Sequence, residues 1–432
     1  MCLLFLGGAV FLLLGAFEES ISTVSMADFK AVYYATRTLL RHGDPYREAD
    51  LLHVYLAEDG QPQAKQLLVS DVVAFDVNLP TAFPIVVPFA LLPWGPAHTL
   101  WMLLTAGSFI VAAFLAWDLG AAFSPQISGG LLCLFLLGAE LLIEVGNTAG
   151  IVVSLCVIAV WCFLRARFAP LGVLCLAVAL LVKPHDAGFL WLYFLLAGGS
   201  QRKRAGQTLI LAAVLGLPAI LWISHAAPNW MQEMHGNMLA TSAHGGVNDP
   251  GPASVQPMAH GAIVVSLQSV LSVFHDDPRF YNPAAYLLCA PLMLVWGYTT
   301  LRKRSSPANA WLALAAISAL SMLPLYHRQH DTGLLLLTVP ACVLLWSEGG
   351  PVAWLALLFT TLGAVFTSNL CLQFLAVSTM GLRASVGGLP GQILTVLLCR
   401  PAPLILLATG AFYLVVYARR VSPESTQPAP SA

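Results

Sequence analysis

The sequence predicts an all-α integral membrane protein, a polytopic bundle of about twelve transmembrane helices. Hydrophobic residues make up 58% of the chain and charged residues only 9%, whereas soluble domains carry about 25% charged residues. Apolar runs recur along the whole chain, and several approach or exceed the ~20 residues that a helix needs to cross a bilayer. The predicted spans lie near residues 2–17, 82–95, 98–117, 127–143, 147–164, 168–198, 207–224, 283–301, 308–325, 331–347, 352–375 and 391–418.

The composition argues against several functional classes. A formal net charge of −1 offers no basic surface of the kind that nucleic-acid-binding proteins carry. Neither a Walker-type phosphate loop nor a G-x-S-x-G elbow occurs, so ATP hydrolysis and serine hydrolase chemistry are not expected. The nine cysteines form no CxxC pair, and we interpret them as small apolar core residues. No cofactor is expected.

Basic clusters predict the orientation, because Lys and Arg in short loops are retained on the cytoplasmic side. The clusters at 202–204, 302–304 and 419–420 fall on one side of the predicted bundle, which predicts that both termini are cytoplasmic. The first run, residues 2–17, is predicted to be a retained span, since it lacks the basic start and the small-residue cleavage site of a signal peptide.

One basic pair, Arg165 and Arg167, disagrees with this orientation. It falls outside if residues 168–198 form a single span, and inside if they form two half-spanning helices that turn at Lys183-Pro184. Pro184 breaks the helix in either case, because it removes a donor and clashes with the preceding turn. Both arrangements remain open at this stage.

The chain is predicted to be one membrane domain, residues 1–420, with two long external loops at 18–81 and 225–282. Within the second loop, residues 261–274 are apolar with interspersed serines, which suits a helix lying at the membrane interface. The Pro/Ser-rich tail 421–432 is predicted to be disordered on the cytoplasmic side.

The first loop contains the most informative segment. Between Asp28 and Arg41, apolar residues fall at helical spacing, which predicts an amphipathic helix on the membrane surface with Asp28 at its N-cap. A capping role is common for aspartate. A carboxylate at the water–lipid boundary is equally suited to act as a general base, taking a proton from an attacking hydroxyl.

Segment 28–46 reads D-F-x(3)-Y-x-A-x(3)-L-L-x(2)-G-D-P-Y, and this pattern resembles glycosyltransferase family 87. Further short motifs follow in the same order as in that family, so the similarity covers most of the chain. They are Phe83-Pro84 to Pro93, Gly146-Asn147, Lys183-Pro184-His185, Arg202-Lys203-Arg204 and Tyr326 to Asp331.

The resemblance implies a membrane enzyme of the GT-C fold, with interfacial helices in its external loops. Such an enzyme moves a hexose, with mannose as a candidate, from a polyprenyl-phosphate donor to a lipid or glycan acceptor. The reaction is extracytoplasmic and inverts configuration, and the implied location is a bacterial inner membrane. The family's first-loop aspartate falls on Asp28, which the resemblance therefore implies as the catalytic base.

Four cationic residues are candidates to bind the donor phosphate, because preorganised positive groups stabilise the charge that a leaving phosphate gains. His327, Arg328 and His330 form the densest cationic group on the external side, and Lys183 lies within an apolar run, where a charge is usually functional. The alternative is that the first three are polar anchors at a helix end, and that Lys183 snorkels from a kink or pairs with its neighbours His185 and Asp186.

Other polar residues are weaker candidates. Glu140 and Glu144 share a helix face, and the histidines of the second loop are too irregularly spaced for a recognisable metal set, so no metal is expected. A transporter or flippase-like carrier, with Lys183 and Glu144 lining a path, is the alternative function, and a silent scaffold is a third. The candidates to line the substrate are Tyr33, Tyr46, Glu144, Asn147 and His185.

Overall fold

The structure, a computed structural model, describes residues 1–22, 24–58, 72–251, 264–303, 306–378 and 386–420. Within these ranges the chain is all-helical, with 81% helix and no strand. The predicted helical fold class is therefore confirmed. The expectations for the tail 421–432, for Arg304 and for the middle of the first loop lie outside the described residues.

The helices of the first half have the following bounds. They are α1 (Cys2–Ile21), α2 (Ala27–Leu40), α3 (Glu48–Glu58), α4 (Phe83–Ala90), α5 (Trp94–Gly120), α6 (Pro125–Leu137), α7 (Leu141–Glu144), α8 (Thr148–Leu164), α9 (Ala169–Val182), α10 (Pro184–Leu196), α11 (Gly199–Ala226) and α12 (Trp230–Ser242), with a short 3₁₀ turn at Pro80–Ala82.

The second half continues the bundle. Its helices are α13 (Leu267–Phe274), α14 (Pro278–Arg302), α15 (Pro307–Leu320), α16 (Thr338–Glu348), α17 (Gly350–Phe366), α18 (Asn369–Ser378), α19 (Gly388–Cys399) and α20 (Pro401–Arg419), with a 3₁₀ segment at Gln329–Leu337 that leads into α16.

Six helical segments in the described ranges are long and apolar enough to cross a membrane, and shorter apolar helices pack between them. The six are α1, α5, α11, α14, the continuous segment Gln329–Glu348 and α20. The protein is therefore an integral membrane protein, although its spans differ from the predicted twelve. The predicted spans 127–143, 352–375 and 391–418 are each divided into two helices, and two further differences affect the site.

The first difference is the predicted span 82–95. Here the chain forms α4, whose eight residues extend about 12 Å and cannot cross a ~30 Å hydrocarbon core. The ring of Phe89 lies 6.2 Å from that of Phe29, so α4 packs against α2. Part of the hydrophobicity of this run therefore serves burial under the first loop, where Phe83, Val86 and Ala90 are buried.

The second difference is the break at Lys183, which divides residues 168–198 into α9 and α10. Arg204, near the start of α11, donates a 2.7 Å hydrogen bond to the carbonyl of Phe163 at the end of α8. Arg202 donates to the carbonyl of Leu195 at 3.1 Å. The end of α10 therefore lies beside the start of α9, and the two helices form a hairpin with Lys183 at its tip.

This hairpin resolves the position of Arg165 and Arg167. Both follow Phe163, so they lie at the same end of the bundle as the cluster 202–204. We call this the basic end. The end of α5 also lies at the basic end, because Asp118 in its last turn pairs with Arg165 at 2.9 Å. Arg420 lines a cavity together with Phe123, which follows α5. Lys303 donates to the carbonyls of Tyr417 and Arg420 and therefore lies at this end as well.

The opposite end, which we call the site end, carries α2, α3, α4 and the tip of the hairpin. The predicted surface helix 28–41 exists as α2, but nine of its residues are buried, on more than one face. An aromatic cluster surrounds it, in which Phe29 stacks on Trp101 with ring centroids 4.4 Å apart. The helix is therefore an internal support, stabilised by aromatic burial, and does not lie freely on the membrane surface.

Helix α15 positions the late polar loop. Its residues from Asn309 to Leu320 are all buried, as expected for a helix that is apolar on all sides. Because α15 ends at Leu320, the following segment 321–328 emerges inside the bundle, near the hairpin tip. Backbone bonds then fix it: the N–H of Val265 donates to the carbonyl of His327 at 2.9 Å, and that of Leu267 donates to Leu323 at 3.0 Å.

Candidate active site

A sharp turn before α8 brings Asn147 to Asp28. Gly146 has φ +63, and a Cβ at this position would lie 3.0 Å from Phe29 Cβ, so glycine allows both the left-handed turn and the close approach. Asn147 is the N-cap of α8: its Oδ1 accepts from the N–H of Ala149 at 2.8 Å. Its Nδ2 donates to Asp28 Oδ2 at 2.7 Å. The amide is held at both ends, and it orients the carboxylate.

Asp28 itself is the second residue of α2, so the prediction that it caps this helix is wrong. The N-cap is Met26, in a left-handed conformation with φ 45, and its N–H donates to the carbonyl of Glu144 at 3.0 Å. The N–H of Asp28 donates to the carbonyl of Val145 at 2.9 Å. A half-buried carboxylate in the first helical turn is favoured by the helix dipole.

Lys183, at the hairpin tip, pairs with Asp331. Their charged atoms lie 2.9 Å apart, and the side chains are 13% and 2% exposed. Asp331 also accepts from the backbone N–H of Arg328 at 2.8 Å. The alternative in which Lys183 pairs with its neighbour Asp186 is not what the structure contains, because Asp186 faces His327 instead.

The second long loop holds Arg328. Its guanidinium donates to the carbonyl of Val247 at 2.7 Å and to Asn248 Oδ1 at 3.0 Å, and the Tyr326 hydroxyl donates to the same Oδ1 at 2.7 Å. Burial opposes the charge of Arg328, but Tyr326 and the carboxylate of Asp28 raise its pKa overall. The same carboxylate interacts electrostatically with Lys183 and His330.

These contacts collect Asp28, Asn147, Lys183, Arg328 and Asp331 at the site end, and we call them the polar cluster. Asp28 and three of the phosphate-binding candidates come from sequence positions up to 302 residues apart, and the Asp28 carboxylate interacts electrostatically with Lys183, Arg328 and His330. A base beside cationic groups is the arrangement needed to transfer a group away from a phosphate.

A second group adjoins the polar cluster. His327 Nε2 lies 3.3 Å from Asp186 Oδ1, and both side chains are fully buried. His185 Nε2 lies 3.9 Å from the same oxygen, with its side chain 35% exposed. The rings of His185 and His327 are 5.0 Å apart. His330, 5% exposed, lies 3.6 Å from Asp331.

Three of the predicted substrate-lining residues are not brought to the polar cluster by the contacts described. The hydroxyl of Tyr33 donates to the carbonyl of Leu92 at 2.7 Å, and that of Tyr46 donates to Asn78 at 2.6 Å; both rings are buried under the first loop. The half-buried Glu144 contributes its main-chain carbonyl to Met26. Asn147, in contrast, contacts Asp28, and His185 lies in the group that adjoins the polar cluster; their role in lining the substrate stays a prediction.

Sequence reasoning missed Asp331, Tyr326 and Asn248 as parts of the site. Asp331 and Tyr326 lie in the same polar segment as His327 and Arg328. Their position in the sequence could therefore have indicated that they belong to the site. Asn248 has no such signal, because it lies in a loop of similar polar residues.

Together, the fold and the site define a polytopic membrane protein with a carboxylate and cationic groups gathered at one end of its bundle. The chain belongs to glycosyltransferase family 87, whose family model matches residues 78–325. No curated protein and no solved structure matches it. The family predicted from the short motifs is thus confirmed, and the protein is a membrane glycosyltransferase. The match includes Asn147 and Lys183, whereas Asp28 lies before it and His327 after it.

Proposed function

We propose that this protein transfers a hexose, with mannose as the first candidate, from a polyprenyl-phosphate donor to a lipid or glycan acceptor. The observation that carries the proposal is the 2.7 Å hydrogen bond from Asn147 to Asp28, which holds a carboxylate within electrostatic range of Lys183 and Arg328. Family membership supports the reaction class.

Asp28 acts as the general base. Its carboxylate takes the proton of an acceptor hydroxyl while the hydroxyl oxygen bonds to the anomeric carbon, a form of help typically worth 10²- to 10⁴-fold in rate. The bond between that carbon and the phosphate oxygen breaks in the same step, and its electron pair leaves with the polyprenyl phosphate. One displacement inverts the configuration relative to the donor.

The cationic groups receive the leaving phosphate, which gains a negative charge as the bond breaks. Lys183 and Arg328 are already fixed, by Asp331 and by the second long loop respectively. Groups that are fixed before reaction stabilise transition-state charge without a reorganisation cost. His330, 3.6 Å from Asp331, completes the proposed phosphate-binding side, whereas both ring nitrogens of the fully buried His327 face protein atoms.

The basic end supports an extracytoplasmic reaction. Arg165, Arg204, Lys303 and Arg420 lie at that end, and Lys and Arg are retained on the cytoplasmic side. The polar cluster lies at the opposite end, which corresponds to the outer face of a bacterial inner membrane. A polyprenyl chain enters there from the lipid, so no nucleotide sugar is required.

The test is sugar transfer from synthetic, radiolabelled polyprenyl-phosphate-mannose and polyprenyl-phosphate-glucose by the purified full-length protein. The Asp28→Asn variant keeps the size of the side chain and removes the base, so we expect transfer by wild type and at least a 10²-fold loss in the variant. Glu48→Gln is the matched control, because Glu48 is an exposed carboxylate of the same loop.

Turnover of Asp28→Asn at the wild-type rate would refute the assignment of the base. Consumption of neither donor in the presence of envelope lipids would refute the donor class. The carrier alternative loses its support, since the family is one of glycosyltransferases and Lys183 pairs with Asp331 at the site end.

A further inference from the structure

Three side chains next to the polar cluster converge on one point. His185 and Asp186 are in the first turn of α10, and His327 is in the late loop. One potential ligand atom from each lies within 4.8 Å of the others. Two imidazoles and one carboxylate, contributed by two separate elements, form the donor set of many transition-metal sites.

The buried carboxylate of Asp186 has no assigned hydrogen bond among the described residues. Its side chain is fully buried. His327 Nε2 lies 3.3 Å away and His185 Nε2 3.9 Å away, and among the described residues His327 Nε2 has no assigned hydrogen-bond partner. A buried carboxylate left in this state is costly unless a positive charge faces it.

The tautomer of His327 adds to the cost of burying the Asp186 carboxylate. Its Nδ1 lies 3.2 Å from the carbonyl of Leu325, a contact in which Nδ1 must donate because the carbonyl only accepts. A neutral ring then directs the lone pair of Nε2 at the Asp186 carboxylate, so two acceptors face each other. Metal-binding histidines commonly have this arrangement, with the second ring nitrogen donating to a backbone carbonyl.

The spacing fits a cation. Bonds of about 2.0–2.2 Å to nitrogen and oxygen in tetrahedral geometry separate two ligand atoms by about 3.3–3.6 Å. The observed separations from Asp186 Oδ1 are 3.3 Å to His327 and 3.9 Å to His185. The longer one belongs to His185, the partly exposed member of the three.

We propose that His185, Asp186 and His327 bind a divalent transition-metal cation, with Zn²⁺ preferred. Three protein ligands leave one position open, as in catalytic zinc sites, and the 35% exposure of His185 directs that position toward solvent at the site end. This inference departs from the absence of metal expected from the sequence, where the spacing of these residues gives no metal motif.

A charge count supports a role toward phosphate, and this step rests on the proposed function. Near the site, Asp28, Asp186 and Asp331 carry three negative charges against two positive charges on Lys183 and Arg328, which leaves −1 with neutral histidines. A dication changes this to +1, which favours an anionic donor and its leaving phosphate.

Metal binding is measured on full-length protein in nanodiscs, without donor or acceptor. The protein is stripped with chelator, exposed to Zn²⁺, desalted and analysed for metal content. Co²⁺ is used in parallel, because its visible d–d bands report nitrogen and oxygen ligands directly. We expect wild type to hold one ion per chain. In Asp186→Asn and His327→Gln we expect metal affinity to fall by more than the roughly 10- to 100-fold that loss of a residue hydrogen-bonded to a ligand costs.

His244→Ala is the matched control. His244 belongs to another His/Asp group, with Asp249 and Asp276, but its side chain is 63% exposed. We expect this variant to retain the ion, and loss of the ion in it alone would overturn the assignment. Size-exclusion profiles and thermal unfolding show whether each variant is folded.

The proposal is overturned if wild type retains neither ion, or if the folded double variant Asp186→Asn/His327→Gln retains one. In that case His327 is protonated, and its imidazolium ring supplies the positive charge that faces Asp186. Sugar transfer by the metal-stripped enzyme at the wild-type rate would overturn the role toward phosphate while leaving Asp28 as base. Metal binding without any transfer would instead count against the proposed function alone.

Discussion

Asn147 performs two tasks that substitution can separate. Its Oδ1 caps α8 through the N–H of Ala149, and its Nδ2 orients the carboxylate of Asp28. Serine also caps helices well, but its hydroxyl is too short to reach Asp28 as well. Asn147→Ser therefore removes the contact with the base and keeps the cap, whereas Asn147→Ala removes both.

The magnitudes follow from these two bonds. A hydrogen bond to a charged group contributes about 1.5–3 kcal/mol, and every 1.36 kcal/mol changes a rate tenfold. We therefore expect both variants to lose roughly 10- to 150-fold in kcat/KM for sugar transfer. Loss of the cap costs about 1 kcal/mol of stability, and we expect this loss only in Asn147→Ala.

The assay combines transfer kinetics with thermal unfolding of each variant in nanodiscs. The KM for the donor should stay close to wild type, because Asn147 contacts the base and not the cationic groups. Full activity of a folded Asn147→Ser would refute the reasoning that this amide orients the base. Equal destabilisation of both variants would refute the separation of the two tasks.

Two further predictions concern buried carboxylates. Lys183→Met leaves Asp331 buried without its 2.9 Å ion pair, which costs about 3–5 kcal/mol of stability. Thermal unfolding should show that loss, and the double variant Lys183→Met/Asp331→Asn should recover it. The absence of recovery would contradict the pairing. Burial raises the pKa of Asp76 to about 6, so the folded protein retains a proton that the unfolded chain releases above about pH 4. Stability should therefore fall by about 3 kcal/mol between about pH 4 and 6, and Asp76→Asn should lack that decrease.

Much of the fold class was predictable because it follows from local composition. The lipid core demands long apolar helices, and several of the predicted runs correspond to helices. The error at 82–95 has a physical cause. A short apolar helix buried under a loop and a membrane span have similar hydrophobicity, and only packing against Phe29 distinguishes them.

The candidate site was predictable residue by residue, but its pairings were not. Asp28, Asn147 and Lys183 were each singled out by residue type, by charge in an apolar run or by the family pattern. Their partners are 119 residues away for Asp28 and Asn147, and 148 residues away for Lys183 and Asp331. No local periodicity records such contacts, so the sequence suggested Asp186 as the partner of Lys183, and the structure has Asp331.

The sequence by itself determined that the chain enters the membrane, which family it resembles and which charged residues lie in apolar runs, where burial of a charge costs free energy. Each of these depends on local hydrophobicity and short motifs. Only the tertiary structure decided that α9 and α10 return to the basic end as a hairpin, and that the hairpin tip meets Asp28 and the late loop. The reason is physical: helix packing brings together residues that are remote in sequence, and a buried charge gains its partner only through that packing.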